Sequence, residues 1–213
     1  MGIRAVIFDL GGVVLGSPLH AIARLEEEHG LERDVVNRHV VASAPDGAWH
    51  RMERGEVAVG DAFFAEFDRE LAGAGAPISS AVLFERIAAE AQPRPIMLRA
   101  IDRLREAGFK VAALTNNWSD ERPGSDSSFK RGDLHARFEL VVESSVVGLR
   151  KPDPRIYRLT CERLGVEPAE AAFLDDIGSN LKSARALGLT TIKVVTPEQA
   201  LEELEDVVGL ALR

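Results

Sequence analysis

Acidic, hydroxyl, amide and ammonium side chains follow four apolar segments of the sequence, at the point where each segment ends. We interpret these segments as strands, and in open α/β sheets ligands bind at the carboxyl ends of the strands. The side chains are therefore expected to share one site. In chain order the candidates are Asp9 with Gly11 and Gly12, Thr115 with Asn116, Lys151, and Asp175 and Asp176 with Asn180.

The three acids in this set predict a cation site. Carboxylates brought to one point repel one another unless a cation neutralises them. Magnesium prefers hard oxygen ligands, and it usually keeps positions for water and for substrate oxygens. Asp9, Asp175 and Asp176 are therefore candidate ligands of Mg²⁺.

The remaining residues of the set offer hydrogen-bond donors. The Lys151 ammonium, the Thr115 hydroxyl and the backbone at Gly11 and Gly12 could all bind a cluster of anionic oxygens. Phosphoryl transfer requires positioning and charge neutralisation of this kind. Taken singly, Asp9, Thr115, Asn116 and Lys151 are more often turn, helix-cap or surface residues. Asp175-Asp176 alone fits a solvated turn as well as a ligand pair. Their joint occurrence at strand ends is what favours a phosphoryl-binding site.

The elements that position these residues predict an α/β fold. Three amphipathic segments each end in a glycine, at Gly108, Gly165 and Gly188, and each is followed by a strand. Helices alternating with strands imply a Rossmann-like, mostly parallel sheet with helices on both faces. The five predicted strands are Ile3–Phe8, Lys110–Thr115, Glu139–Val142, Ala171–Leu174 and Thr190–Val195.

A stretch between the first two strands departs from this alternation. Residues 16–92 contain no convincing strand, and their apolar residues have helical spacing. We therefore predict an all-helical cap at 16–92, inserted into a discontinuous core formed by 1–15 and 93–213. The polar stretch Ser119–Asp133 is predicted to be a loop.

Composition limits the classes of function. The chain has 213 residues, of which 46% are hydrophobic and 28% charged, as in ordinary globular proteins. A formal charge of -8 disfavours a nucleic-acid partner. Cys161 is the only cysteine, so disulfides and cysteine-based zinc sites are excluded. No apolar segment approaches the ~18 residues of a membrane span, and Asp9 comes too early for a signal peptide. We expect a cytoplasmic protein, monomeric or homodimeric, with no membrane partner.

The motifs together resemble those of the haloacid dehalogenase superfamily over nearly the whole chain. Residues 8–13 (Phe-Asp-Leu-Gly-Gly-Val) resemble its first motif, Thr115-Asn116 the second, Lys151 the third and Asp175-Asp176 the fourth. The helical insert resembles the cap that follows the first motif in part of this superfamily. Within it, residues 148–157 and 173–180 are most similar to the N-terminal phosphatase domain of soluble epoxide hydrolase and its relatives.

The resemblance implies catalytic roles by position. Asp9 would be the nucleophile that attacks phosphorus and forms an aspartyl-phosphate. Lys151 and Thr115 would hold the phosphoryl oxygens of a small phosphorylated substrate, with Asn116 beside them.

The resemblance also implies a magnesium site. Asp9, the backbone carbonyl of Gly11, and Asp176 would ligate the ion, with Asp175 ligating it or supporting the ligands. Asn180 would orient the acidic loop or contact the substrate.

Gly11 differs from the residue that phosphatases of this superfamily usually have at the same position of the first motif. Phosphatases of the superfamily usually carry a second aspartate there, which protonates the leaving group and later activates water. A general acid/base of this kind typically raises the reaction rate ~100- to 10,000-fold. The function predicted is therefore a Mg²⁺-dependent phosphate monoester hydrolase that is slow or uses another proton donor, and that prefers aryl or acyl phosphates. A 2-haloacid dehalogenase and a catalytically impaired phospho-ligand-binding domain are the alternatives.

Overall fold

Five parallel strands form one sheet. The computed structural model of the protein describes residues 2–122 and 134–213. The strand order is β3-β2-β1-β4-β5, and every neighbouring pair is parallel. The predicted Rossmann-like parallel sheet is thereby confirmed, with the carboxyl ends of β2, β1 and β4 side by side. The strands are β1 (Ala5–Phe8), β2 (Lys110–Thr115), β3 (Leu140–Glu143), β4 (Ala171–Asp175) and β5 (Thr190–Lys193).

The predicted strand bounds are correct for β2 and differ by one or two residues at the ends of the others. The pairing register explains the late start of β1. Ala5 pairs with Lys110 and with Ala171, which are the first residues of β2 and β4. Pairing with neighbours, rather than the length of the apolar segment, therefore sets where a strand begins.

Five helices occupy the stretch between Leu15 and Pro93, and no strand of the sheet lies there, as predicted. Their apolar faces form a separate hydrophobic cluster that includes Leu25, Met52, Phe67 and Leu83, all buried. These helices are α1 (Pro18–Glu28), α2 (Val35–Ala42), α3 (Ala48–Glu53), α4 (Asp61–Gly73) and α5 (Ser80–Glu90).

The chain leaves the sheet and returns to it at one place. Leu15 and Pro93 form an isolated antiparallel bridge, and the Gly16 N–H donates to the carbonyl of Gln92 at 3.0 Å. This crossing lies at the predicted junctions. The division into a core (1–15 and 93–213) and a cap domain (16–92) stays a prediction.

Helices cover both faces of the sheet. Side chains of β1 alternate between two clusters, with Phe8 facing α6 and α10 and Ile7 facing α8 and α9. This alternation buries β1 completely. The helices are α6 (Pro95–Glu106), α7 (Ser144–Val147), α8 (Pro154–Leu164), α9 (Gly178–Ala186) and α10 (Pro197–Val208), with 3₁₀ and π turns at Pro168–Glu170 and Leu10–Val14.

The first part of the predicted loop after β2 lies against the helical insert. Val59 N–H donates to the Ser119 carbonyl at 2.8 Å, and Glu121 N–H donates to the Val59 carbonyl at 3.0 Å. The remainder of that loop prediction, positions 123–133, lies outside the described residues. Within the described parts of the chain, every helix is too short or too polar to cross a bilayer.

Candidate active site

A buried ion cluster occupies the carboxyl ends of β1 and β4. The Lys151 ammonium donates to Asp9 Oδ1 at 2.8 Å, to Asp175 Oδ2 at 2.7 Å and to the Leu114 carbonyl at 3.1 Å. The Lys151 side chain is 1% exposed and that of Asp175 is fully buried. Buried charges persist only when they are paired, and here all three ammonium protons have acceptors. The structure therefore brings these three predicted residues together.

The pKa values in this cluster follow from burial and from charge. Burial alone would lower the pKa of Lys151, but the Asp175 and Asp9 carboxylates outweigh it and raise that pKa above its ordinary value. Burial raises the pKa of Asp9 well above its usual range, against the opposing attraction of Lys151, and Asp175 and Asp176 add repulsion. One ammonium is thus insufficient to neutralise the acids around it.

Asp176 completes the acidic group beside the β1 turn. Its carboxylate accepts a hydrogen bond from the Ser17 hydroxyl at 3.2 Å. Burial, followed by the charge of Asp175, raises its pKa. Gly12 has a φ of 79°, and a Cβ there would lie 2.1 Å from Asp176 Oδ2. Only glycine lets the β1 turn approach this carboxylate so closely.

The donor set fits a hard divalent cation. One carboxylate oxygen from each of Asp9, Asp175 and Asp176 lies within 4.8 Å of the other two. A cation among them would offset the repulsion that adds to the effect of burial in raising the pKa values of Asp9 and Asp176. Oxygen-only ligands favour Mg²⁺ over softer metals.

Asn180 orients Asp175 within the site. Its side-chain amide donates to both carboxylate oxygens of Asp175 at 3.1 Å, and Ile177 N–H donates to Asp175 Oδ1 at 2.7 Å. The Tyr157 hydroxyl in turn donates to the Asn180 carbonyl at 3.0 Å. Asn180 is thus in direct contact with the acidic loop, as orientation of that loop by its side chain would require.

Thr115 is the last residue of β2 and Asn116 follows it, and their side chains have different surroundings. The Thr115 side chain is nearly buried, and its hydroxyl donates to the Asn116 carbonyl at 3.3 Å. The Asn116 side chain bonds to the Lys151 backbone in both directions, accepting from its N–H at 2.8 Å and donating to its carbonyl at 3.1 Å. Asn116 therefore holds the loop that carries Lys151.

Gly11 lies in an ordinary extended conformation, with φ -64° and ψ 127°. A Cβ at this position would lie 3.3 Å from two carbons of the Pro18 ring. The backbone angles at position 11 therefore permit a residue with a side chain, although the Pro18 ring would crowd its Cβ.

A cavity of about 470 Å³ adjoins the site. Its lining includes Gly11 and Thr115, and apolar groups from the insert and from the β2 loop. Trp118 and Phe84 face each other across the two parts of the chain, with ring centroids 5.0 Å apart. The sequence prediction missed Trp118, although its position three residues after the end of β2 could have indicated it. Trp49 and Phe63 belong to the hydrophobic cluster of the insert.

A Rossmann-like parallel sheet with three aspartates and a lysine at its carboxyl edge defines the haloacid dehalogenase-like class of hydrolases. A family model described as haloacid dehalogenase-like hydrolase matches residues 3–188. The chain therefore belongs to this family, as the sequence motifs predicted.

Curated relatives include a protein named as a phosphatase and two proteins much longer than this chain. The chain is 40% identical over 214 residues to acyl-CoA dehydrogenase family member 10 of Mus musculus, covering 98% of this chain and 19% of the relative. It is 37% identical over 221 residues to bifunctional epoxide hydrolase 2 of Sus scrofa, covering 100% and 40%. Phosphatase MT3486 of Mycobacterium tuberculosis is 30% identical, over 89% of this chain and 86% of the relative. The chain thus spans well under half the length of the first two.

Solved structures share the fold. A HAD family enzyme from Bacteroides thetaiotaomicron, in complex with magnesium and inorganic phosphate, aligns with a TM-score of 0.60 at 21% identity. That alignment covers 90% of this chain and 94% of the other. A structure described as a dehalogenase aligns with a TM-score of 0.63 at 24% identity, covering 99% and 98%. At these identities the likeness establishes the fold alone.

Proposed function

We propose that the protein is a magnesium-dependent hydrolase of phosphate monoesters that works through an aspartyl-phosphate on Asp9. The observation that carries this proposal is the buried Lys151 ammonium bonded to both Asp9 and Asp175, with Asp176 close enough to share a cation. Phosphoryl transfer depends on such charge neutralisation around a fixed nucleophile. Relatives named as phosphatases support the same activity.

The hydrogen bonds of Asp9 suit a nucleophile. Oδ1 accepts from the Leu10 N–H at 2.7 Å and from Lys151 at 2.8 Å, and Oδ2 takes part in neither bond. The carboxylate is thus held in one orientation, with Oδ2 the oxygen that would attack phosphorus. Lys151 opposes the rise in the pKa of Asp9 and would stabilise the charge that develops on the phosphoryl oxygens.

Mg²⁺ would be held by Asp9, Asp176 and the Gly11 carbonyl, with Asp175 as a ligand or support. Bound there, the ion would supply positive charge that offsets the charge of the phosphoryl oxygens. Thr115 and the backbone at Gly11 and Gly12 would contact the same oxygens, and Asn116 would lie beside them.

The leaving group defines the preferred substrates. Gly11 supplies no proton donor, and a Cβ at this position would lie 3.3 Å from two carbons of the Pro18 ring. Aryl and acyl phosphates release an aryloxide or a carboxylate, which are stable enough to leave without protonation when the bond to phosphorus breaks. They should therefore react faster than alkyl phosphates. The cavity next to Gly11 and Thr115, whose surface is mostly apolar, would accommodate the aromatic ring of an aryl phosphate.

The direct test measures phosphate release from 4-nitrophenyl phosphate, acetyl phosphate and an alkyl phosphate, with Mg²⁺ and with a chelator. We expect turnover that requires Mg²⁺, favours the first two substrates and disappears in Asp9→Asn. Undiminished turnover in Asp9→Asn would exclude Asp9 as the nucleophile.

A dehalogenase is the second candidate, because Gly11 lacks the phosphatase acid/base and (S)-2-haloacid dehalogenase 1 of Pseudomonas sp. is 28% identical over 100 residues. Chloride release from 2-chloropropionate that persists with a chelator would favour it. A phospho-ligand-binding domain would instead bind beryllofluoride with Mg²⁺ and hydrolyse no ester.

A further inference from the structure

Three segments of the chain meet at one carboxylate oxygen of Glu53, the last residue of α3 in the helical insert. Glu53 Oε2 accepts from the Arg150 guanidinium Nε at 2.5 Å and from the Asn116 side-chain amide at 3.3 Å. Arg150 directly precedes Lys151, and Asn116 directly follows β2. The contact joins residues 97 positions apart in the chain.

The Asn116 amide is fully used by this arrangement. One amide proton goes to the Lys151 carbonyl at 3.1 Å and the other to Glu53, and the amide oxygen accepts from the Lys151 N–H at 2.8 Å. Glu53 therefore holds the group that fixes the Lys151 backbone, and through Arg150 it also holds the preceding residue. The Lys151 ammonium is thereby directed at Asp9 and Asp175.

A second contact seats α3 against the same side of the sheet. Gly55, with a φ of 71°, follows α3, and a Cβ there would lie 2.0 Å from the Ser145 carbonyl oxygen in α7. The backbone of the insert thus abuts the backbone of the core, independently of the Glu53 ion pair.

We propose that Glu53 is a positioning residue, through which the helical insert aligns the Lys151 ammonium with Asp9. The inference rests on the proposed function for its catalytic consequence, but not for its structural one. Asn116 then acts by positioning Lys151. Packing of α3 against the core and placement of Lys151 would then depend on each other.

The burial of Glu53 separates it from other ion pairs of the insert. Its side chain is 9% exposed, whereas the side chains of Arg51 and Glu66, a pair joined at 2.5 Å within the insert, are 29% and 36% exposed. Exposed pairs contribute little to stability, while removing one partner of a buried pair is costly. Glu66→Gln is therefore the matched control for Glu53→Gln.

The first experiment measures acetylation of individual lysines by mass spectrometry and needs no enzymatic activity. In Glu53→Gln the rate at Lys151, relative to exposed Lys193, should rise about ten-fold, in line with loss of a buried hydrogen bond to a charged group. Glu66→Gln should leave it unchanged. Lys110, held in the core by the Leu164 carbonyl, should keep its rate in both variants. An unchanged Lys151 rate, or an equal rise at Lys110, overturns the proposal.

A double-variant cycle tests whether Glu53 acts on Lys151 through Asn116. In the Asn116→Ala background, Glu53→Gln should increase Lys151 acetylation by much less than it does in the wild type. Effects that multiply independently would show that Glu53 does not act through Asn116, and would overturn this route.

The catalytic readout is separate from acetylation. With 4-nitrophenyl phosphate, Glu53→Gln should lower kcat about ten-fold and leave KM nearly unchanged, because Lys151 stabilises charge that develops during transfer. A rise in KM at unchanged kcat would contradict positioning of Lys151. If the wild type hydrolyses no phosphate or acyl phosphate, the proposed function fails, while the acetylation result still decides the role of Glu53.

Discussion

Replacing Gly11 with aspartate should raise the rate of alkyl phosphate hydrolysis by about 100- to 10,000-fold, the usual contribution of a general acid/base. The Gly11 backbone, at φ -64° and ψ 127°, is open to any L-residue. The new carboxyl group would enter the cavity that Gly11 lines together with Thr115. It could then protonate the leaving oxygen and activate the water that hydrolyses the aspartyl-phosphate.

The same substitution should cost stability. The new Cβ would lie 3.3 Å from two ring carbons of Pro18, so the ring must move by a few tenths of an ångström. Overpacking of this kind costs about 1–3 kcal/mol. In a chain of this size each kcal/mol lowers Tm by roughly 2–4 °C. Pro18→Ala in the same protein should recover most of the loss.

The assay compares alkyl and 4-nitrophenyl phosphate under saturating Mg²⁺, with Gly11→Asn as the matched control. Asparagine has the same shape and the same contact with Pro18, but it transfers no proton. We expect a large gain on the alkyl ester with aspartate only, and a much smaller gain on the nitrophenyl ester. Equal gains for aspartate and asparagine, or a well-folded Gly11→Asp protein with no gain, would refute the reasoning about the missing acid.

Three further predictions concern other positions. Gly12→Ala should abolish activity and lower Tm, since its Cβ would lie 2.1 Å from Asp176 Oδ2 at a φ of 79°; retained Mg²⁺-dependent turnover would contradict this. Burial lowers the pKa of His50, whose neutral ring can donate to the Val40 carbonyl. The unfolded chain therefore binds more protons below about pH 6.5, and stability should fall as the pH drops through that value; thermal melts should show a weaker pH dependence in His50→Gln. Burial raises the pKa of the Cys161 thiol to about 11, so iodoacetamide at pH 8 should modify it only in denaturant, as mass spectrometry can measure.

The candidate site could be predicted from strand ends because parallel strands place all their carboxyl ends at one edge of a sheet. Asp9, Lys151 and Asp175 were predicted to meet for this reason. Both carboxylates lie within hydrogen-bonding distance of the Lys151 ammonium. The presence of buried strands, and their alternation with helices along the chain, depend on local patterns of apolar residues and glycines. Such patterns were sufficient for the fold class, while the exact strand ends depended on pairing register.

Contacts between the helical insert and the sheet could not be predicted in this way. Glu53 has no local signature as a partner of Arg150, because the two residues are distant in sequence and meet only when α3 packs against the core. Trp118 faces Phe84 for the same reason. Residue types at strand ends thus determined what chemistry the sequence could support. How the insert packs, and hence which of its side chains reach Lys151 and the cavity, was decided only by the tertiary structure, since long-range packing has no period along the chain.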